Sequence, residues 1–249
     1  RNALLYGSWD SFDGQVFREW RDDAAHYGDQ RWTHVVQPFP IPQHWRIYRG
    51  FDFGYSRPFA VGWFAVDGDG KVYQIKEYYG FTGTPNEGVR MHPGQIAAEI
   101  RRMENEDPVL RGRFITGIAD PSIFDESRGE SVARMMERSP NFVYWQAGDN
   151  TRLAGKMQVH YRLAFDGEGI AQFQVFSTCR QTIRTLPALV YDAARPEDID
   201  TDGEDHIYDM IRYVLMARPI APPAEVQRKS VGDDQLELAC GGETRFLRV

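Results

Sequence analysis

Apolar and polar residues alternate in blocks along the first half of the chain and predict a sheet followed by a helix. Three apolar segments predict β-strands at residues 45–53, 59–66 and 71–79. The Asp-Gly-Asp-Gly sequence at 67–70 predicts a hairpin turn between the second and third strands. Apolar residues then recur at helical spacing within residues 93–106. An antiparallel sheet is therefore expected to form the start of the fold.

The second half alternates between helical and strand-like segments. It begins with an apolar strand, residues 112–119, that runs directly into Asp120. The segments that follow are a helix at 130–139, a strand at 141–147, a basic helix at 151–165, a strand at 173–177, a helix at 179–189 and a last helix at about 205–217. This order predicts an α/β fold whose central mixed sheet has three antiparallel strands extended by parallel strands and is flanked by helices.

Composition narrows the class of protein. The 249 residues are 42% hydrophobic, enough to bury the core of one large domain. No apolar run approaches the ~20 residues of a membrane helix, so no membrane partner is expected. The only cysteines, Cys179 and Cys240, are far apart and support neither a disulfide framework nor a zinc site, which favours an intracellular setting. The first residue is Arg, so we expect a fragment of a longer protein.

Charge is unevenly distributed around a net value of −7. The window at 150–165 contains Arg152, Lys156 and Arg162 and no acid, whereas 192–209 contains eight acids and one arginine. A solvated surface explains most runs of this kind. A basic face beside an acidic cluster is also typical of a metal-dependent enzyme acting on polyphosphate or nucleic acid, because carboxylates hold cations and arginines hold phosphates.

Asp52 lies inside an apolar strand, between Gly50 and Gly54. On an edge strand its carboxylate would face solvent. In a central strand the carboxylate is costly to bury unless it is paired or binds a metal ion. The two glycines favour the functional interpretation, because they allow another backbone or a ligand to come close.

Asp120 and the last helix supply further carboxylates. Asp120 stands where an apolar strand ends, and Pro121 turns the chain away; this is either a simple turn or the crevice where open α/β sheets bind ligands. On the last helix, Asp205, Asp209 and Arg212 lie opposite an apolar stripe. A capping role explains Asp205 but not Asp209, since two aspartates one turn apart repel each other. The apolar stripe consists of Ile207, Met210, Ile211, Val214 and Leu215.

Together, these aspartates and this order of elements resemble the ribonuclease H-like nucleases. More closely, the sequence resembles the C-terminal nuclease domain of the large terminase subunit of tailed bacteriophages. The resemblance runs from about Leu4 to Ala217. Its most distinctive part is a Cys-containing helix, an acidic loop and the sequence DHIYDMIRY. The other segments that carry it are LLYGSWDSFDGQVF, RGFDFGYSRPFAVGW and GIADPSIF.

The resemblance implies a metal-dependent endonuclease that cuts concatemeric double-stranded DNA during genome packaging. It also implies Mg²⁺ or Mn²⁺, with two ions in the DNA-bound state. Asp52 would bridge both ions, Asp120 would bind one and Asp205 the other. Asp209 would bind directly, through water or as a second-layer residue. His206 is expected to be a satisfied histidine rather than a metal ligand.

The implied organisation is an entry segment at 1–45 after a missing ATPase domain, a ribonuclease H-like nuclease domain at 46–218 and a C-terminal tail at 219–249. No phosphate-loop motif occurs in the sequence. The expected partners are double-stranded DNA, the ATPase domain of the same polypeptide, the portal and the small terminase subunit. The expected location is the host bacterial cytoplasm and, transiently, the viral procapsid.

The basic window is the predicted grip on DNA, with Arg152, Lys156 and Arg162 contacting phosphates. Arg180 and Arg184 are as well placed to pair with the acidic loop at 197–204.

Three other interpretations have different requirements. A non-cleaving domain of the same fold that docks on DNA or the portal differs from a nuclease only in lacking metal-dependent cleavage. An actin-like phosphotransferase needs a second glycine-rich hairpin and an adenosine motif, which the sequence does not provide. A protein kinase is suggested by Asp-Phe-Gly at 52–54, but the chain has no His-Arg-Asp loop, so this match is due to chance.

Overall fold

The computed structural model of the protein describes residues 14–220. Its strands are β1 (Val35–Val36), β2 (Arg46–Asp52), β3 (Ala60–Val66), β4 (Val72–Tyr79), β5 (Ile115–Ala119), β6 (Gln146–Ala147) and β7 (Phe173–Phe176). Its α-helices are α1 (Pro93–Glu106), α2 (Val132–Glu137), α3 (Arg152–Leu163), α4 (Arg180–Thr185) and α5 (His206–Met216). No helix within residues 14–220 is long and apolar enough to cross a membrane.

The seven strands form one mixed sheet in the order β1-β7-β4-β3-β2-β5-β6. Strands β2, β3 and β4 are antiparallel neighbours, which confirms the predicted hairpin sheet. Beyond β2 the sheet continues in parallel through β5 and β6, and beyond β4 it continues in parallel through β7 and β1. The predicted arrangement of three antiparallel strands extended by parallel strands is therefore confirmed.

Two predicted elements are markedly shorter in the structure. The strand predicted at 141–147 forms only at Gln146–Ala147. The helix predicted at 179–189 is α-helical only to Thr185 and continues as a 3₁₀ turn at Leu186–Ala188, where Pro187 has no amide proton to donate.

Residues 14–45, the described part of the predicted entry segment, pack with the sheet. Val35 and Val36 pair in parallel with β7 as an edge strand that the sequence pattern did not indicate. Phe17 and Trp20 are buried in the same apolar core. These residues are thus part of one packed unit with the rest of the fold. Most of the predicted tail, residues 221–249, lies outside the described residues.

Helix α5 lies across β2 and β3 at a distance that only glycine permits. A Cβ atom added to Gly50 would lie 2.8 Å from the backbone oxygen of Met210 and 2.8 Å from a methyl carbon of Val214. One added to Gly62 would lie 2.6 Å from the sulfur of Met210. The glycine beside Asp52 therefore admits a helix, in agreement with the prediction that another backbone approaches there.

The predicted apolar stripe of α5 is buried, which confirms that it faces the core, but the helix buries more than this stripe. Tyr208, Arg212 and Tyr213 lie outside that stripe and are also buried. The reason is that α3 covers the opposite side of the helix: a Cβ atom on Gly155 of α3 would lie 2.6 Å from Cγ and Cδ of Arg212. Helix α5 is consequently a central element of the fold.

Substituting Gly50→Ala tests this close packing. We expect the substitution to lower the free energy of unfolding by roughly 1–3 kcal/mol, because the new methyl group overlaps Met210 and Val214. Urea denaturation measures the change. Gly68→Ala is the matched control, since a Cβ atom there meets nothing within 4 Å. Equal stability of the two variants would contradict the packing argument.

Candidate active site

Two of the predicted site residues meet at the carboxyl ends of neighbouring parallel strands. Asp52 is the last residue of β2, and Asp120 directly follows β5. The register pairs Phe51 with Ala119, and the amide of Asp120 donates a hydrogen bond of 3.1 Å to the carbonyl oxygen of Phe51. Both carboxylates thus lie at the edge of the sheet where α/β proteins form their binding crevices.

Helix α5 brings a third carboxylate to the same edge. Asp205 occupies the N-cap position, but its side chain makes no capping hydrogen bond with the described backbone. It is 6% exposed, as is Asp52. The side-chain oxygen of an N-cap residue normally accepts a hydrogen bond from a backbone amide of the first turn. A capping role therefore does not explain the position of this carboxylate.

Burial makes these two carboxylates hard to ionise. Burial raises the pKa of Asp52 to about 7, against the effect of a hydrogen bond with His206, and the negative charges of Asp209 and Asp120 add to the rise. Burial and the charge of Asp209 likewise raise the pKa of Asp205 to about 6. In both groups burial is the main cause of the raised pKa, and the neighbouring carboxylates add to it.

His206 lies between the carboxylates. Its Nδ1 is 3.1 Å from Oδ2 of Asp52 and 3.9 Å from Oδ1 of Asp205, and its Nε2 is 3.2 Å from Oδ1 of Asn86. Burial lowers the pKa of this ring, but the hydrogen bond and charge of Asp52 and the charges of Asp205 and Asp209 outweigh that effect, so the pKa is raised. The sequence predicted a satisfied histidine and did not predict its contact with Asp52. The position of His206 next to Asp205 in the sequence was the signal that could have indicated its contact with the site.

Asp209 is held by an arginine on its own helix. Arg212 is 1% exposed; its Nε donates a hydrogen bond of 2.9 Å to Oδ1 of Asp209, and its Nη2 forms an ion pair with the same oxygen at 2.9 Å. The Nη2 group also donates to Oδ1 of Asn150 at 3.2 Å. Arg212 is thus a buried cation behind the carboxylates. The sequence predicted that Arg212 lies on the polar side of the helix. Its burial depends on α3, which covers that side, and could not be predicted from the helix alone.

The carboxylate of Asp120 caps a turn and also acts on the candidate site. One carboxylate oxygen accepts a hydrogen bond of 2.8 Å from the amide of Ser122 and so caps the 3₁₀ turn at Pro121–Phe124. The side chain is half-buried. Its negative charge acts on Asp52 and contributes to the raised pKa there. The turn and the crevice interpretations of this residue are therefore compatible.

The donor set fits a hard divalent cation in its chemistry but is not arranged as a finished site. Carboxylate oxygens are the ligands that Mg²⁺ and Mn²⁺ prefer, and Asp52 and Asp205 are buried with only His206 as a nearby salt-bridge partner among residues 14–220. Within the same range, no three His, Cys, Asp or Glu side chains are placed to hold a metal ion. A cation bound here would favour the ionised form of both buried carboxyl groups and so lower their pKa values.

The predicted DNA-gripping residues do not share one exposed surface. Lys156 is buried and donates to the backbone oxygen of Glu197. Arg162 is 1% exposed and donates to the carbonyl oxygens of Gly70, at 3.2 Å, and Arg218. Contact with phosphate does not fit either placement, because these donors bind the protein's own backbone.

Arg152 and Arg184 keep part of their side chains accessible. Arg152 is 33% exposed and forms an ion pair of 2.7 Å with Asp198. Arg184 donates to both carboxylate oxygens of Glu204, at 2.6 and 2.9 Å, which is the pairing with the acidic loop that the sequence left open. The acidic loop therefore neutralises neighbouring basic side chains.

Comparisons with known proteins identify the fold. No protein-family model matches the sequence, and no curated protein gives a significant match. The nuclease domain of the P22 large terminase superposes with a TM-score of 0.58 at 16% identity, over 84% of this chain and 94% of that domain. The large terminase of a thermophilic bacteriophage, in complex with ATP-γ-S, superposes with a TM-score of 0.60 at 18% identity, over 84% of this chain.

The chain spans 46% of the length of the thermophilic phage terminase and nearly all of the P22 nuclease domain. At these identities the likeness establishes the fold. The chain has the ribonuclease H-like fold of large-terminase nuclease domains, and the fold class predicted from the sequence is confirmed.

Asp205→Asn tests whether the ionised carboxylate of Asp205 destabilises the folded protein. A carboxyl group whose pKa is higher in the folded than in the unfolded protein lowers the free energy of unfolding as pH rises. The loss occurs between the unfolded and the folded pKa, here 3.8 and about 6. With EDTA present, we expect the variant to be more stable than the wild type by on the order of 1–2 kcal/mol at about pH 8 and little different at about pH 3, below the unfolded pKa. Denaturant unfolding at both pH values measures the difference. A stabilisation independent of pH would contradict the charge argument.

Proposed function

We propose that this chain is the metal-dependent endonuclease domain of a DNA-packaging large terminase, which cuts concatemeric double-stranded DNA. One observation carries the proposal: Asp52, Asp120 and Asp205 reach the same edge of the sheet, two of them buried with raised pKa values, in a fold shared with the P22 nuclease domain. Buried carboxylates of this kind cluster at functional sites.

The chain's own residues divide the chemistry between them. Asp52, Asp120 and Asp205 would hold two Mg²⁺ or Mn²⁺ ions through hard carboxylate oxygens, and these ions would activate water and neutralise phosphate charge. His206 shares a proton with Oδ2 of Asp52. Arg212 orients Asp209, so that this carboxylate acts from behind the ligands.

DNA binding by this domain alone is expected to be weak and sensitive to salt. The net charge is −7, and of the three basic residues assigned to phosphate contacts Arg152 is the accessible one. Arg152 must exchange its ion pair with Asp198 for a DNA phosphate. The remaining affinity is assigned to partners: the ATPase domain of the same polypeptide, the small terminase subunit and the portal. The site of action is the host bacterial cytoplasm, at the viral procapsid.

A second candidate function is a docking domain that binds DNA or the portal without cutting. The observation in its favour is that no three acidic, histidine or cysteine side chains within residues 14–220 are placed to hold a metal ion. Metal-dependent cleavage separates the two functions.

Cleavage of supercoiled plasmid tests the proposed nuclease. We expect nicked and linear products with Mn²⁺ or Mg²⁺ and none with EDTA. Asp52→Asn and Asp205→Asn should each lower the rate by at least about 100-fold, because each removes a charged ligand. Gel electrophoresis over time measures the rates.

Asp69→Asn is the matched control, since Asp69 lies exposed in the hairpin turn between β3 and β4. It should cut like the wild type. Cutting by all three variants would place the activity elsewhere. No cutting by the wild type, with Mn²⁺ failing to shift its thermal unfolding, would favour the docking domain.

A further inference from the structure

The side-chain amide of Asn86 joins two segments of the chain beside the candidate site. Asn86 lies in the loop between β4 and α1. Its Nδ2 donates a hydrogen bond of 2.9 Å to the backbone oxygen of Asp202, and its Oδ1 is 3.2 Å from Nε2 of His206. The same amide therefore contacts the acidic loop and the histidine that faces Asp52.

The contact with Asp202 fixes which way the amide points. A backbone carbonyl oxygen only accepts hydrogen bonds, so the NH₂ group of Asn86 must face it and Oδ1 must face His206. Oδ1 is also only an acceptor, so Nε2 of His206 carries a proton whether the ring is neutral or charged. Nδ1 is then the nitrogen turned to Asp52 and Asp205.

The loop holds Asn86 in place independently of His206. Asn86 has φ of 60°, a left-handed conformation that Asn tolerates better than most residues. Nearby, the amide of Gly88 donates 2.9 Å to the carbonyl oxygen of Ser56, and a Cβ atom on Gly88 would lie 2.2 Å from the backbone oxygen of Arg57. The loop is thus packed against residues 55–58, and its amide is a fixed reference point for the ring.

We propose that Asn86 is a positioning residue that holds the ring of His206 with Nε2–H toward the loop and Nδ1 toward Asp52 and Asp205. Its consequence for catalysis rests on the proposed nuclease function; the orientation of the ring does not. Partners that orient a histidine in this way fix which nitrogen faces the site.

Asn86→Gly removes the amide and keeps the backbone. Glycine adopts a φ of 60° without strain, so the variant is expected to fold. In the wild type labelled with ¹⁵N-histidine, the Nε2–H proton of His206 should be protected from water and give a resolved NMR signal, assigned by its absence in His206→Gln. In Asn86→Gly this signal should vanish through exchange. The cleavage rate at saturating Mn²⁺ should fall about tenfold with unchanged KM for DNA.

Arg90→Gly is the matched control for the NMR measurement. Arg90 lies in the same loop, has φ of 57° and is exposed. Its replacement should leave the His206 signal intact. Absence of the signal in the wild type would overturn the assigned orientation, and its survival in Asn86→Gly would overturn the role of Asn86 in holding the ring. Loss of the signal with an unchanged cleavage rate would overturn the consequence for catalysis.

The two arms separate this inference from the nuclease function. If the wild type cuts no DNA with any metal, the proposed function fails, and the NMR signal still decides whether Asn86 orients His206.

Discussion

The arrangement of the site depends on how closely α5 lies on the sheet. Gly50 and Gly62 present no side chains to the helix, so Met210 comes closer to them than Cβ atoms would allow, with its backbone oxygen 2.8 Å from a Cβ position on Gly50 and its sulfur 2.6 Å from one on Gly62. Gly155 does the same on the opposite side, where α3 covers Arg212. Because the helix is held from two sides, its first turn has a fixed position relative to the end of β2. The approach of Asp205 to Asp52 is a result of this packing.

That packing brings carboxylates together, and the structure partly offsets their repulsion with a hydrogen bond from His206 and an ion pair with Arg212. The negative charge of Asp209 raises the pKa values of both Asp52 and Asp205, in addition to the effect of burial. His206 compensates at Asp52, and Arg212 compensates at Asp209. Neither forms a hydrogen bond with Asp205 in the part of the chain that the structure describes, which leaves this carboxylate as the one most in need of an external cation.

Sequence pattern predicted the elements of the fold better than it predicted their surroundings. The hairpin sheet, the parallel extension and the helix at Pro93–Glu106 follow from local periodicity, which each segment carries by itself. The burial of Arg212 and Arg162 depends on which helix covers them, and periodicity has no information about that. The roles of His206 and Asn86 depend on residues 154 and 120 positions apart meeting in space, so only the folded chain shows them.

The basic helix α3 shows why charge along a sequence does not define a binding surface. Lys156 and Arg162 lie on the buried side of α3, where backbone oxygens of Glu197, Gly70 and Arg218 accept their hydrogen bonds. Their positive charges therefore hold the acidic loop and the segment that follows α5 against the fold. Since the acidic loop leads directly into Asp205, a basic helix that organises this loop also fixes the start of α5. The uneven charge distribution thus serves the geometry of the site before it serves any contact with DNA.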